Sequence, residues 1–407
     1  MYKDLKITRD LYQTEEHNML REVIQQFVKQ HVNPYREEWE KQGFVPRELW
    51  LKAGELGLLN VNVAQKYGGG GLDFSFCAVY LEEQAKLGAA APAISMHSDI
   101  VAKYIEAYAS EEIKMKYLPK MATGEWIGCL GMTEPSTGSD VQAIKTNAVD
   151  MGDHWLLNGS KTFITIGYTA DFCIVACKTR PGTPQEGISL MIADANTEGF
   201  IKGQPLHKIG LKESDTCELF FDNVKVPKEN LIGEECMGFK YMMMELPRER
   251  LIVALQSLGS IEGAIEETIE YVEQRTAFKQ PIAAFQNTQF KLAELATQLQ
   301  AYQCFADKCV QLLSEEKLTP ETASMAKYGA TELEGKAMDE CLQLFGGYGY
   351  MWEYTIARRF ANARVSRIYA GTNEIMKLMI SRKLLRNYFL ETKAKRKAKK
   401  AAVANQA

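Results

Sequence analysis

Apolar positions change their period twice along the chain. Up to about residue 123 they recur at helical spacing, as at Leu20, Val23, Ile24, Phe27, Val28 and Val32, which is one face of an amphipathic helix. The pair Asn33–Pro34 predicts the end of that helix. The run Tyr67-Gly68-Gly69-Gly70-Gly71 follows no clear strand, so it reads as a turn rather than a phosphate cradle. From about 124 to 236 the pattern becomes strand-like. Phe172–Cys177 and Ile188–Ile192 are short apolar runs, and Thr216–Val226 alternates for part of its length before Pro227. Asn158–Gly159, Pro181–Gly182 and Asp222–Asn223 read as turns between strands of a small antiparallel barrel or sandwich. After about 237 the helical period returns, with Leu251, Leu255, Leu258, Ile261, Ile265 and Ile269 on one stripe. Pro247 fits the first turn of that helix, where its missing N–H costs nothing. A second long helix runs from near Gln286 through Leu292, Leu295, Leu299, Cys304 and Val310 to Leu313, and further helices cover about 319–345 and 372–387. Long helices with short links predict a bundle.

These periods predict an α+β chain in three parts: a helical domain over 1–123, a β-domain over 124–236 and a four-helix bundle over 237–390. A basic, low-complexity tail over 391–407, with Lys393–Lys400 at its centre, follows. A length of 407 residues suits two or three domains. The hydrophobic share of 46% and charged share of 25% are those of an ordinary globular protein. A net charge of -4 argues against a general nucleic-acid binder. No apolar run approaches the roughly 20 residues of a membrane span. The start, Met1-Tyr2-Lys3-Asp4-Leu5, has neither an apolar secretory core nor the Arg-rich look of a mitochondrial presequence. The nine cysteines are scattered, with no Cys-x-x-Cys pair, and read as reduced, mostly buried thiols. The five histidines, including His97 and His207, show no ligand spacing, so no metal is expected. No Gly-x-Ser-x-Gly elbow points to a hydrolase.

Several segments carry candidate chemistry. Leu130-Gly-Met-Thr-Glu-Pro-Ser-Thr-Gly-Ser-Asp140 holds glycines, Gly131 and Gly138, that admit a planar ring close to the backbone, and Thr133 offers polar groups to a ring edge. Phe163-Ile164-Thr165 is on its own an ordinary strand with an aromatic that can stack. Arg275-Thr-Ala-Phe278, followed by Phe285–Gln286, presents a planar cation suited to a diphosphate. Gln343-Leu-Phe-Gly346-Gly347-Tyr-Gly-Tyr350 reads as a helix end with glycine stops. Thr372-Asn373-Glu374 opens the last helix, whose N-terminal amides suit an electron-rich partner, although Glu374 reads equally well as a plain first-turn acid.

Together, and in the order helical, β, helical, these segments resemble the acyl-CoA dehydrogenase family over almost the whole chain to about residue 390. The resemblance implies bound FAD. Leu130, Met132, Thr133 and Ser139 would lie on the flavin, with Ser139 also facing substrate. Phe163, Ile164 and Thr165 match the second flavin contact, with Phe163 in place of the family's usual tryptophan. Arg275, Phe285 and Gln286 match the pyrophosphate and adenosine contact, with Lys279 where the family usually has glycine. Gln343, Gly346 and Gly347 match the contact that one subunit gives its neighbour's FAD, so a working monomer is not expected. Thr372 and Glu374 fall beside the flavin, and Ala370 and Gly371 beside the thioester.

In many members the residue before Gly371-Thr372 is the glutamate that takes the substrate α-proton. Here it is Ala370, whose methyl accepts no proton. Glu245-Leu-Pro-Arg-Glu-Arg-Leu251 resembles the alternative placement of the long-chain and isovaleryl branches, which makes Glu249 the base. An acid near a helix N-terminus is also favoured for its own sake. Glu245 is the second candidate, and Pro247, Arg248 and Arg250 would order the site or touch substrate. The implied reaction is α,β-dehydrogenation of an acyl-CoA, with hydride passing to flavin N5 and electrons to an electron-transferring flavoprotein. The thioester carbonyl would be polarised by a flavin ribityl hydroxyl and the Ala370 amide, which survives the loss of the side chain. Phe290–Ala296 and Gly349–Tyr354 look most like the long-chain type. A branched-chain enzyme, an oxygen-using oxidase and a nucleic-acid-binding flavoprotein of the same fold are the alternatives. A homotetramer built as a dimer of dimers is implied, in a bacterial cytoplasm or, for a processed chain, the mitochondrial matrix.

Overall fold

The computed structural model describes residues 5–12, 14–180 and 187–388. The Pro181–Gly182 pair and the basic tail lie outside the described residues. Six α-helices open the chain: α1 (Glu15–Phe27), α2 (Arg36–Gln42), α3 (Arg47–Glu55), α4 (Phe74–Lys86), α5 (Ala102–Tyr108) and α6 (Glu111–Thr123). Their starts follow from side-chain caps: Thr14, Asp73 and Ser110 each accept a backbone N–H of the first turn. Asn33–Pro34 does not end the first helical run. The backbone passes through a π-helical turn, Val28–Val32, and a 3₁₀ turn, Asn33–Tyr35, into α2. Pro34 is tolerated there because the start of such a turn needs no donor from it. The glycine run is a turn, as its sequence predicts. A second π-helical turn, Ser95–Val101, leads directly into α5.

The strands are β1 (Gly128–Gly131), β2 (Asn147–Asp150), β3 (His154–Thr165), β4 (Phe172–Lys178), β5 (Ile188–Asp194), β6 (Phe200–Lys202), β7 (Thr216–Pro227) and β8 (Leu231–Ile232). They form one sheet in the order β6-β7-β3-β2-β4-β5-β8, with β1 also on β4. The sheet is not purely antiparallel, since β1 and β2 both meet β4 in parallel. β4 is buried from Phe172 to Cys177, which explains its unbroken apolar run. Asn158–Gly159 and Asp222–Asn223 are not hairpin turns. Leu157 pairs with Val224 and Gly159 with Phe221, so the two dipeptides meet in a bulge between β3 and β7. The Asn223 N–H donates to Asn158 Oδ1 at 2.9 Å across it.

The helical C-terminal part consists of α7 (Gly238–Gln274), α8 (Gln286–Ser314), α9 (Pro320–Phe345), α10 (Thr355–Ala363) and α11 (Asn373–Leu384). A two-strand hairpin, β9 (Thr276–Ala277) with β10 (Gln280–Pro281), links α7 to α8. Its two-residue loop is Phe278–Lys279, with φ of +51° and +67°. That pairing is a type I′ turn, so lysine at 279 keeps the turn that glycine would favour. α7 is the central rod, packed against α8, α9 and also α4. Leu251, Leu255, Leu258, Ile261 and Ile265 are buried along it. Gly259 and Gly263 let α4 approach closely, since a Cβ at each would meet the carbonyl oxygens of Glu82 and Lys86 at 2.2 and 2.1 Å. No helix among the described residues is long and apolar enough to cross a membrane.

Candidate active site

α7 begins at Gly238 because Phe239 and the buried Met242 extend its apolar stripe upstream. Pro247 and Glu249 therefore lie inside the helix, not in its first turn. Pro247 leaves the Met243 carbonyl without its helical donor, which is tolerable because Met243 is exposed to water. Stabilisation by the helix dipole fades beyond the first turn, so it does not explain an acid at 249. Yet Glu249 is only 7% exposed, and it makes no ion pair among the described residues. Its Oε1 accepts a hydrogen bond from the Tyr104 hydroxyl of α5 at 3.0 Å. Burial and the neighbouring Glu245 carboxylate push Glu249 up to about 7, against the pull of Tyr104 and Arg250. A carboxyl poised there is suited to taking up a proton near neutrality. Glu245, one turn earlier, is held at the rim by the Tyr108 hydroxyl at 2.7 Å.

Arg248 and Arg250 face different partners. Arg248 donates to Asn62 Oδ1 at 3.2 Å and lies over the Phe74 ring. Arg250 is buried, donates from Nη1 to Ser324 Oγ of α9 at 3.3 Å, and keeps Nε unpartnered. Close by on α9, Lys327 is fully buried. Its Nζ donates to the Gly371 carbonyl at 3.0 Å and to Asn373 Oδ1 at 2.9 Å. Burial, then the Arg250 charge, brings Lys327 down to about 8. Asn373 also donates to Glu332 at 2.7 Å. These bonds fix the loop 370–373 onto α9. Ala370 and Gly371 sit at φ of +52° and +88°, and the Ala370 N–H donates to no acceptor among the described residues. Thr372 caps α11, and Glu374 is an exposed first-turn acid lowered by its own backbone N–H and the Thr372 hydroxyl.

A second group forms around the end of β1. Lys161, fully buried on β3, donates to the Met132 carbonyl at 3.1 Å and to Glu134 Oε1 at 2.8 Å. Glu134 also accepts the Lys145 and Thr146 N–H groups at 2.6 and 3.0 Å. Burial pushes Lys161 down, and the Glu134 charge offsets only part of that. Gly131 faces inward rather than towards a ligand, since a Cβ there would meet Lys161 and Cys173 at 3.1 Å. The Thr162 N–H donates to the Thr133 carbonyl at 2.9 Å, which sets Phe163 beside the loop. A second bulge, between Lys161 and Ile164, turns Phe163 out of the sheet at φ +59° and 67% exposed, while Ile164 stays in the core. A strained, exposed aromatic next to polar backbone fits the face of a planar ring system. Leu130 and Met132 are half-buried there, and Ser139 is exposed.

A third group lies at the far end of α7. Arg275, Gln343, Gly346 and Gly347 line one open cavity of about 520 Å³ with Tyr271 and Tyr348. The Tyr271 and Phe345 rings stack at 4.1 Å, and the Arg275 guanidinium lies 5.6 Å from the Tyr348 ring centre. A cation beside stacked aromatics and open glycine backbone fits a nucleotide diphosphate. Phe285 caps α8 next to the exposed Phe278, with Gln286 at the surface. Along α7, Arg275 is about 26 residues, or roughly 39 Å, from Glu249. One chain therefore does not bring these two groups together. Tyr104, Glu134, Lys161 and Lys327 carry no local sequence signal. Only the alternation of β3, which puts Lys161 on an inward position, hints at one of them.

Three successive stretches match acyl-CoA dehydrogenase domains: the N-terminal domain over residues 14–125, the middle domain over 129–224 and the C-terminal domain over 237–385. The chain belongs to the acyl-CoA dehydrogenase family. It is 48% identical to the mitochondrial long-chain specific acyl-CoA dehydrogenase of Rattus norvegicus, over 91% of this chain and 87% of that one. It is 35% identical to the caffeyl-CoA reductase-Etf complex subunit CarC of Acetobacterium woodii, over 92% and 100% of the two chains. The crystal structure of an acyl-CoA dehydrogenase from Geobacillus kaustophilus superposes with a TM-score of 0.89 at 46% identity, covering 92% of this chain and 99% of that one. Members of the family are FAD-dependent oxidoreductases acting on acyl-CoA. The helical, β and helical parts found here are that family's fold.

Proposed function

We propose that this acyl-CoA dehydrogenase oxidises long-chain fatty acyl-CoA thioesters to trans-2-enoyl-CoA, with Glu249 as the α-proton base. The observation that carries this reading is the buried, helix-interior carboxylate of Glu249, poised near neutrality, in a chain whose loop position 370 is alanine. The loop itself keeps what the reaction needs. Lys327 and Asn373 hold it in place, and the Ala370 N–H, which donates to no acceptor among the described residues, would polarise a thioester carbonyl. FAD, when bound, supplies the acceptor for the β-hydrogen. Met132, Thr133 and Phe163 would hold its ring and Arg275, Gln343, Gly346 and Gly347 its nucleotide part, with Ser139, Pro247, Arg248 and Gly371 towards the substrate.

Glu249 and Arg275 lie roughly 39 Å apart along α7, and Gln343, Gly346 and Gly347 beside Arg275 match the segment that the family gives to a neighbour's FAD. Each complete site then draws on two chains, which supports an isologous dimer and, with the resemblance, a dimer of dimers. The long-chain assignment rests on the 48% identity to the rat enzyme. The Etf-complex relative supports an electron-transferring flavoprotein as acceptor. Two measurements test the proposal. Glu249→Gln is expected to keep bound flavin and to lose turnover by about 10²-fold or more; flavin reduction by substrate at the normal rate in that variant rules out the base. A panel of acyl-CoAs of graded length and branching, read by anaerobic flavin bleaching, is expected to favour long straight chains. A preference for short or branched chains would reject the substrate class.

A further inference from the structure

The base is held in a two-rung ladder between α5 and α7. Tyr104 and Tyr108 lie one turn apart on α5, and Glu249 and Glu245 lie one turn apart on α7. The outer rung, Tyr108 to Glu245, is 2.7 Å long and half-exposed. It is braced by Tyr241, stacked on Tyr108 at 4.1 Å, and by Arg248, 3.9 Å from Glu245. The inner rung, Tyr104 to Glu249 Oε1, is 3.0 Å long and buried. Because the outer rung and its braces already join the two helices, the Tyr104 hydroxyl is not needed for docking. Its one hydrogen bond among the described residues is to that carboxylate.

We propose that Tyr104 is the positioning residue of the base: its hydroxyl pins Oε1 of Glu249, leaves Oε2 to receive the substrate proton, and sets the pH range in which the carboxylate is ionised. This rests on the assignment of Glu249 above. Oε2 accepts no hydrogen bond among the described residues. A phenol suits the task better than a cation. An ion pair at 3 Å would hold the carboxylate far below neutrality and blunt it as a base. A neutral donor fixes the rotamer and pulls only moderately against burial. Arg250, next in sequence, is turned away to Ser324 on α9. Tyr104 itself is held well above its ordinary range, by burial and then by Glu249, so it stays protonated throughout. Other charged or titratable groups near the base are Tyr108 on α5, Tyr241, Glu245, Arg248 and Arg250 on α7, and Lys327 on α9 behind Arg250. Asp99 of the second π-helical turn, hydrogen-bonded to Cys77, feels the charges of Arg248 and Lys103.

Removing the donor destabilises the ionised form, so the carboxyl binds its proton more tightly and the acid limb moves to higher pH. The test is the pH dependence of flavin reduction by saturating acyl-CoA in anaerobic stopped flow, on the holoenzyme. Tyr104→Phe is expected to shift the acid limb up by about one pH unit, with a loss of about tenfold below it and a lowered plateau above it, because the ionised base is then no longer pinned. Infrared titration of the Glu249 carboxyl without substrate, identified by its absence in Glu249→Gln, is expected to show the same displacement. Site-specific 3-fluorotyrosine at 104, a stronger donor, is expected to move both in the opposite direction, and it covers the case in which the phenylalanine variant does not fold. An acid limb and a carboxyl titration unmoved by either change overturn the positioning role. If Glu249→Gln also proves active, the base falls with it; if that variant is dead and the limb is unmoved, only the role of Tyr104 falls.

Discussion

Burial pushes the Glu249 carboxyl up to about 7, well above the roughly 4.3 of an exposed glutamate. Between those values the folded chain binds more protons than the unfolded one, so this residue's contribution to stability falls as pH rises through that window. At pH 8 most of the buried charge is present and works against the fold. Glutamine at 249 keeps the shape, can still accept from Tyr104, and carries no charge. Glu249→Gln should therefore be more stable than the parent chain at pH 8, by up to about 3 kcal/mol, and no more stable at pH 4. Urea midpoints at the two pH values check this. A variant no more stable than the parent chain at pH 8 would mean that the carboxylate is well solvated. The same desolvation that disfavours the fold gives the carboxylate its basicity, so the residue's stability cost and its proposed chemical use have one cause.

α7 joins the site to the rest of the molecule through small residues. Gly259 and Gly263 face α4, where the carbonyls of Glu82 and Lys86 occupy the space a side chain would fill. Lys86 then pairs with Glu262 and Glu266 at 2.8 and 3.0 Å. Gly263→Ala is expected to cost about 1–3 kcal/mol by forcing the helices apart, read as a fall in melting temperature; an unchanged melting temperature would show that the helices can part without loss. Elements with local signals were legible. α9 starts where Thr319–Pro320 gives a cap followed by proline, and α8 follows its apolar stripe from Gln286 to Ser314. Elements set by distant partners were not. Asn158–Gly159 and Asp222–Asn223 carry turn chemistry, but their partners are each other, far apart in sequence. Pro247 mimics a helix start, and only tertiary packing around Met242 shows that the helix began earlier. The same holds in the site: Glu249 and the 370–373 loop were visible through family resemblance, whereas Tyr104 and Lys327 matter only through contacts made across helices.

At the scale of the whole molecule, one continuous helix carries Glu249, the proposed proton acceptor, towards one end, and Arg275, proposed to face the FAD phosphates, directly follows its other end. If each complete site is shared between two chains, defects at the two ends of α7 fall in different places. Consider protein bearing Glu249→Gln mixed with protein bearing Arg275→Ala, each inactive alone. In a hybrid dimer one site inherits both lesions and its twin inherits neither. Co-refolding the pair in equal amounts should thus restore about a quarter of normal turnover; no restoration would place both groups in a site made by a single chain. A 37-residue rod would in that way make complementation between two broken copies possible, so a cell carrying two different damaged alleles of this gene could outperform a cell carrying either one twice.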